Sequence, residues 1–124
     1  MTEVGIVIVS HSKRIAQGLV DLISEVAKDV VLTYVGGTED GGIGTSFEQV
    51  QTVVEANKAE KILAFFDLGS ARMNLELVAD FSDKDIIINN VPIVEGAYTA
   101  AALLQAGADL ATIQEQLKEL EIKK

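Results

Sequence analysis

The clearest pattern along the chain is an apolar run without alternation, Val4-Gly5-Ile6-Val7-Ile8-Val9, mostly β-branched. A strand wetted on one side would alternate apolar and polar residues, so this run predicts a central strand covered on both faces. Ser12 then offers an N-cap, and Ile15, Leu19, Leu22 and Val26 recur at helical spacing, predicting an amphipathic helix to about Lys28. A second short apolar run, Val30 to Val35, completes a β-α-β unit with parallel strands and a right-handed crossover. Residues 36–45 are half glycine and predict a loop. Thr45 with Glu48, or Ser46 with Gln49, forms a capping box for a second helix whose inward side is Phe47, Val50, Val53 and Val54. The two registers fit equally well.

Lys61 to Phe66 predicts a third strand, Asp67-Leu68-Gly69-Ser70 a short loop, and Ala71 to Ala79 a third helix with Met73 and Leu77 inward. Asp85 to Asn89 is a fourth strand. Pro92 opens a helix rich in small residues through Gln105, and Asp109 caps a last helix with Leu110, Ile113, Leu117 and Leu120 on its apolar side. Gly96, Ala97, Ala100, Ala101 and Ala102 predict close packing, against the sheet or against a second subunit. Strands alternating with helices imply an α/β fold: a flavodoxin-like open, mostly parallel four-stranded sheet, order 2-1-3-4, with helices on both faces. A chain of 124 residues leaves room for one domain, residues 1–124.

Composition narrows the function classes. Nineteen acidic against ten basic residues give a net charge of −9, which disfavours nucleic acid and membrane surfaces and leaves proteins or small molecules as partners. Cysteine is absent, closing thiolate chemistry. The opening Met-Thr-Glu carries no basic region and the run after it is too short for a signal core or membrane span, so a cytoplasmic location is expected.

Ligands of such sheets gather at the carboxyl ends of the strands, where the order of connection reverses, here between the first and third strands. That crevice receives Ser10-His11-Ser12 from one strand and Asp67-Leu68-Gly69-Ser70 from the other, bringing the single histidine to a strand-terminal aspartate. A carboxylate holding one imidazole nitrogen fixes the tautomer and frees the other as a nucleophile toward phosphorus or an acyl carbon. Amides at the helix start after Ser12, and at Gly69 and Ser70, favour a phosphoryl group. Taken singly, His11 also reads as a surface or capping residue and Asp67 as a turn residue; their predicted pairing strengthens the chemical reading. Lys13 reads as a solvated first-turn residue, and Arg14 is open between that and a place on the rim. The glycine loop is a phosphate-embracing nest or a plain connection.

Other chemistries fit poorly. The glycine spacing is no dinucleotide fingerprint, and no Walker lysine follows. A serine hydrolase of this fold places its histidine last, metal-ligand spacing is lacking, and the acidic pair of a receiver domain is missing after the first strand. Flavin binding stays open, though aromatic residues make up only 5% of the chain.

Residues 5–12, Ala16-Gln17-Gly18, Ile43-Gly44-Thr45, residues 67–71 and residues 92–96 together resemble, in order and over the whole chain, the phosphotransferase subunits of bacterial dihydroxyacetone kinase, which belong with the IIA domains of mannose-type sugar phosphotransferase systems. The resemblance implies that His11 accepts a phosphoryl group from the phosphocarrier HPr and passes it to ADP on the nucleotide-binding kinase subunit, where regenerated ATP phosphorylates dihydroxyacetone. It implies Asp67 as the histidine-orienting carboxylate, with Ser12, Gly69 and Ser70 at the phosphoryl group. Arg14, Thr38, Gly44 and Thr45 are placed loosely at the rim. No cofactor or metal is expected on this subunit itself, and a homodimer is; some relatives carry HPr-like and enzyme I-like modules fused behind this one, whereas this chain ends after the first module, so a separate HPr is the expected donor. Leu68-Gly69-Ser70 differs from the Gly-Gly-Ser type loop of the sugar-system members and fits the kinase branch better. The competing expectation is a non-catalytic flavodoxin-like regulatory or anion-binding module.

Overall fold

A computed structural model describes residues 3–124. Strands β1 (Val4–Ser10), β2 (Val31–Gly36), β3 (Lys61–Phe66) and β4 (Asp85–Asn89) alternate with helices α1 (Lys13–Val26), α2 (Phe47–Ala56), α3 (Gly69–Phe81) and α4 (Ile93–Gln105), followed by α5 (Leu110–Lys118). The sheet is parallel throughout, in the order β2-β1-β3-β4. The expected architecture is therefore the observed one, and the third and fourth strands span the expected residues.

The central strands explain the unbroken apolar runs. Successive side chains of a strand point to opposite faces, and here each face meets its own hydrophobic layer. Ile6, Ile8, Leu63 and Phe65 pack with Leu19, Ile23, Ala97, Ala101, Ile113 and Leu117 on one side. Val7, Val9, Ile62, Ala64 and Phe66 pack with Val50, Val54, Leu75 and Val78 on the other. Parallel pairing sets Val9 opposite Phe66 and Ser10 opposite Gly36, so the carboxyl ends of β1, β2 and β3 finish together.

Two helices present a different side from the expected one. On α1 the residues turned inward are Ala16, Leu19 and Ile23, while Ile15, Leu22 and Val26 are substantially exposed. Both sets have helical spacing and share Leu19; backbone approach decides between them. A side chain on Gly36 would lie 2.5 Å from the Ser12 carbonyl oxygen and 2.8 Å from Ala16 Cβ, so α1 sits against the end of β2 through its small residue. On α3 the inward residues are Ala71, Leu75 and Val78, whereas Met73 is 65% exposed and Leu77 47%.

The small residues of α4 are used within the chain. Gly96, Ala97, Ala100 and Ala101 are buried, and a methyl group on Gly96 would fall 2.2 Å from Val91 Cγ2 and 3.4 Å from the Phe65 ring. They bring the helix onto the sheet. Of the two capping registers for α2 the structure takes Ser46, whose hydroxyl accepts the Gln49 amide at 3.2 Å. The last helix follows expectation: Asp109 accepts the Thr112 amide at 2.9 Å, and Ile113 and Leu117 are buried.

The inward assignments of α3 can be checked in urea. Leu75→Ala is expected to lower unfolding stability by about 2–4 kcal/mol through lost burial and a residual cavity, while Met73→Ala should change it by less than about 0.5 kcal/mol.

Candidate active site

His11 follows the buried end of β1 and Asp67 follows the buried end of β3. Because those strands pair directly, the two residues meet across the carboxyl edge of the sheet. Asp67 Oδ1 is 2.8 Å from His11 Nδ1. Its other oxygen accepts from the His11 backbone amide at 2.9 Å and from the Ser10 hydroxyl at 2.7 Å, and Oδ1 also accepts the Leu68 amide at 2.8 Å. Burial pushes the Asp67 carboxyl up, but the bonds from the imidazole, Ser10 and the two amides together hold it below the ordinary carboxylate value. An ionised carboxylate only accepts. The proton between the pair therefore belongs to Nδ1, and the lone pair of His11 lies on Nε2.

Nε2 points toward the open edge, where the hydroxyl of Ser70 hydrogen-bonds to it. Ser70 is an exposed first-turn residue of α3, so its donor can rotate away from Nε2 onto an incoming oxygen. Leu68, the N-cap of α3, makes no side-chain cap bond, which leaves the first-turn amides around Gly69 and Ser70 for an anion. The His11 and Asp67 side chains retain 12% and 16% exposure. The imidazole is thus held firmly at one nitrogen and accessible at the other.

Ser12 has a smaller part than expected. Its amide donates to the Ser10 hydroxyl oxygen at 3.0 Å, and its own hydroxyl caps α1 by accepting the Ile15 amide at 3.4 Å. Arg14 is exposed in the first turn of α1, as is Lys13.

The glycine loop packs against the histidine's backbone. Gly44 donates to the His11 carbonyl at 2.9 Å and Gly37 to the Ser10 carbonyl at 3.1 Å. Gly37, Gly41 and Gly44 have positive φ of 74°, 88° and 146°, conformations that favour glycine. Gly44 is accordingly a support of the site. Thr38 turns inward on its own loop, donating to Asp40 and accepting the Gly42 amide at 3.0 Å. Thr45 accepts from Asn74 Nδ2 at 2.7 Å and ties the loop to α3.

Two contributors escaped the sequence reading. Ser10 is 1% exposed and bridges Asp67 to the start of α1; a hydroxyl at the end of a fully buried strand must find partners, and that was its signal. Lys124 donates to the Phe66 carbonyl at 2.5 Å, directly before Asp67. Its remoteness in sequence gave no sign of this.

A concavity of about 560 Å³ opens elsewhere, at the amino ends of the strands beside Val4, Val31 and Lys61. It lies at the opposite edge from the histidine, and the bonded groups described above mark the carboxyl edge as the chemical one. Among the described residues, no group of three or more His, Asp or Glu side chains converges to hold a metal ion, and no helix is long and apolar enough to cross a membrane.

The family model described as "PTS system fructose IIA component" matches residues 5–114. The chain belongs to this family. It is 59% identical over 120 residues to the "PTS-dependent dihydroxyacetone kinase, phosphotransferase subunit DhaM" of Lactococcus lactis, covering 97% of this chain and 98% of that one. It is 52% identical to the "PEP-dependent dihydroxyacetone kinase 1, phosphoryl donor subunit DhaM" of Listeria innocua, covering 96% of each. The Escherichia coli DhaM subunit is 30% identical across 98% of this chain, but the match takes up only 28% of that longer protein. Among solved structures, "unknown function protein EF1359" superposes with a TM-score of 0.83 at 31% identity, covering 98% of this chain and 97% of that one. A sigma-54 interaction domain protein from Enterococcus faecalis, with a TM-score of 0.73 at 13% identity over 95% of this chain and 90% of that one, shares the fold. In this IIA-family site the strand order, the single histidine and its carboxylate stand where the sequence placed them.

The lowered Asp67 pKa has a definite sign for stability. A carboxyl whose folded pKa lies below its unfolded value of about 3.9 stabilises the fold above that value, and the contribution is lost as pH falls through the folded pKa. Asp67→Asn is therefore expected to be less stable than the parent by about 1–3 kcal/mol near neutral pH. In urea titrations the gap between them should narrow once the pH drops below about 4. A pH-independent gap would assign the effect to shape alone.

Proposed function

We propose that this protein is the phosphohistidine relay of a dihydroxyacetone kinase, with His11 as the residue that carries the phosphoryl group. The observation that carries the reading is the imidazole itself: Nδ1 is engaged by an ionised Asp67 while Nε2 faces an open edge beneath the Ser70 hydroxyl. The family match and the high identity to phosphotransferase subunits over nearly the full chain support a relay over an anion-binding module.

In the first half-reaction the Nε2 lone pair attacks phosphorus on the donor's phosphohistidine. A new N–P bond forms as the donor's N–P bond breaks, and the electron pair of the broken bond returns to the donor imidazole. The transfer passes through a loose transition state that asks chiefly for alignment and charge stabilisation. Asp67 steadies the positive charge that grows on His11 as Nε2 bonds phosphorus, while Ser70 and the first-turn amides of α3 are donors for the phosphoryl oxygens. In the second half-reaction the terminal phosphate oxygen of ADP, held on the nucleotide-binding kinase subunit, attacks the same phosphorus and returns the pair to Nε2. The products are ATP on that subunit and free His11.

The donor on this reading is phosphorylated HPr, the relay needs no cofactor of its own, and it works in the cytoplasm as a homodimer. A net charge of −9 suits brief docking of a carrier through a basic patch, which raises the encounter rate without long residence. The exposed position of Nε2 beside Ser70 suits a group handed between proteins better than a substrate enclosed in a pocket.

Incubation with phosphorylated HPr should give one acid-labile, alkali-stable phosphoryl group, absent in His11→Ala. An unmodified parent protein would overturn the proposal. Asp67→Ala should keep its circular-dichroism spectrum and lose about 10- to 100-fold in transfer rate; an unchanged rate would remove Asp67 from the mechanism.

A further inference from the structure

Beyond α5 the chain turns back to the sheet. Ile122 donates its amide to the Asn90 carbonyl at 2.9 Å, just past β4, and Lys124 reaches the next strand inward. Its ammonium donates to the Phe66 carbonyl at 2.5 Å and stands 4.1 Å from the centroid of the Phe66 ring. Phe66 ends β3, and the residue after it is Asp67. A lysine separated from β3 by three helices and β4 is therefore pinned at two points to the residue that precedes the histidine's carboxylate.

The other charged groups on the elements that reach this edge leave it short of positive charge. Lys13 and Arg14 are exposed on the first turn of α1. On α3, Arg72 is turned to Glu76, 3.8 Å away in an exposed pair. Asp40 belongs to the loop after β2, and Glu95 to the first turn of α4. A phosphoryl group on His11 adds up to two negative charges beside ionised Asp67, in a chain whose net charge is already −9.

We propose that Lys124 is a positioning residue of this site: its ammonium clamps the end of β3 and offsets the Asp67 carboxylate, so that an anionic phosphoryl group can be accommodated on His11. The clamp needs a cation, since a carbonyl oxygen and a π face both attract positive charge, and an offsetting charge acts through space without touching the phosphorus. Burial lowers the pKa of Lys124, whereas attraction to Asp67 favours its charged form. The role in transfer rests on His11 as the phosphoryl acceptor; the electrostatic role does not.

Two measurements separate these layers. In the first, the full chain is titrated with inorganic phosphate while the imidazole resonances of its single histidine are followed by NMR. Lys124→Gln should weaken phosphate binding at least about threefold and flatten its salt dependence, and Lys124→Arg should restore both. Equal affinity and salt dependence in Lys124→Gln and the parent would overturn the proposal. So would equal losses in the Gln and Arg variants accompanied by a common fall in unfolding midpoint, which would mark a purely structural tether. In the second, phosphoramidate, a small donor that needs no protein docking, is used to modify His11. The Gln variant should react about three- to tenfold more slowly than the parent and the Arg variant within twofold of it, and parent-like rates in Gln would overturn the role in transfer. Failure of the parent to be modified by either phosphoramidate or phosphorylated HPr would overturn the relay reading, while the phosphate titration still decides the lysine.

Discussion

The site depends on one carboxylate receiving donors from both central strands. Asp67 accepts hydrogen bonds from the imidazole Nδ1–H of His11, from the backbone amide of the same residue and from the hydroxyl of Ser10 at the end of β1, together with the amide of Leu68 beyond β3. A half-buried negative charge is costly unless its lone pairs are filled, and here both oxygens are shared between two partners. The same bonds make the group a structural tie and a chemical one: they join the strand ends, keep the acid ionised and set the histidine tautomer. Changing this residue therefore bears on stability and on nucleophilicity together.

Around that tie the chain arranges neutral groups with close backbone contacts. The glycine loop lies against the carbonyls of Ser10 and His11, and Gly36 lets the start of α1 approach where a methyl group would collide. These contacts hold the His11 backbone from behind, and the Ser70 hydroxyl stands in front of Nε2. A site that receives a phosphoryl group from one protein and hands it to another needs this combination of a rigid nucleophile and an unroofed face, because both partners must reach the same nitrogen. Positive charge within the site is sparse, which gives Lys124 its weight.

Much of this arrangement was legible in local sequence. The unbroken run at Val4–Val9 reads as a strand covered on both faces and Lys61–Phe66 as a third strand, and the order 2-1-3-4 carries His11 to Asp67. The helices were harder to orient. On α1, Ile15, Leu22 and Val26 form as regular an apolar stripe as Ala16 and Ile23, and on α3 Met73 and Leu77 compete with Leu75 and Val78. Size and hydrophobicity favour the larger side chains, but a helix seated on a sheet places its small residues at the closest approach, so alanine marks the contact.

Periodicity, together with the rule that parallel strands need crossovers, suffices for the alternation of elements, the parallel sheet and the pairing of one histidine with one aspartate. The folded chain alone shows which faces α1 and α3 present, that the Ser12 amide serves the Ser10 hydroxyl, that Thr38 turns onto its own loop, and that Lys124 reaches the end of β3. Each of these is settled by distances between segments far apart in the chain or by competition among neighbouring donors for one acceptor. Composition and spacing carry no information on either until the backbone has closed around them.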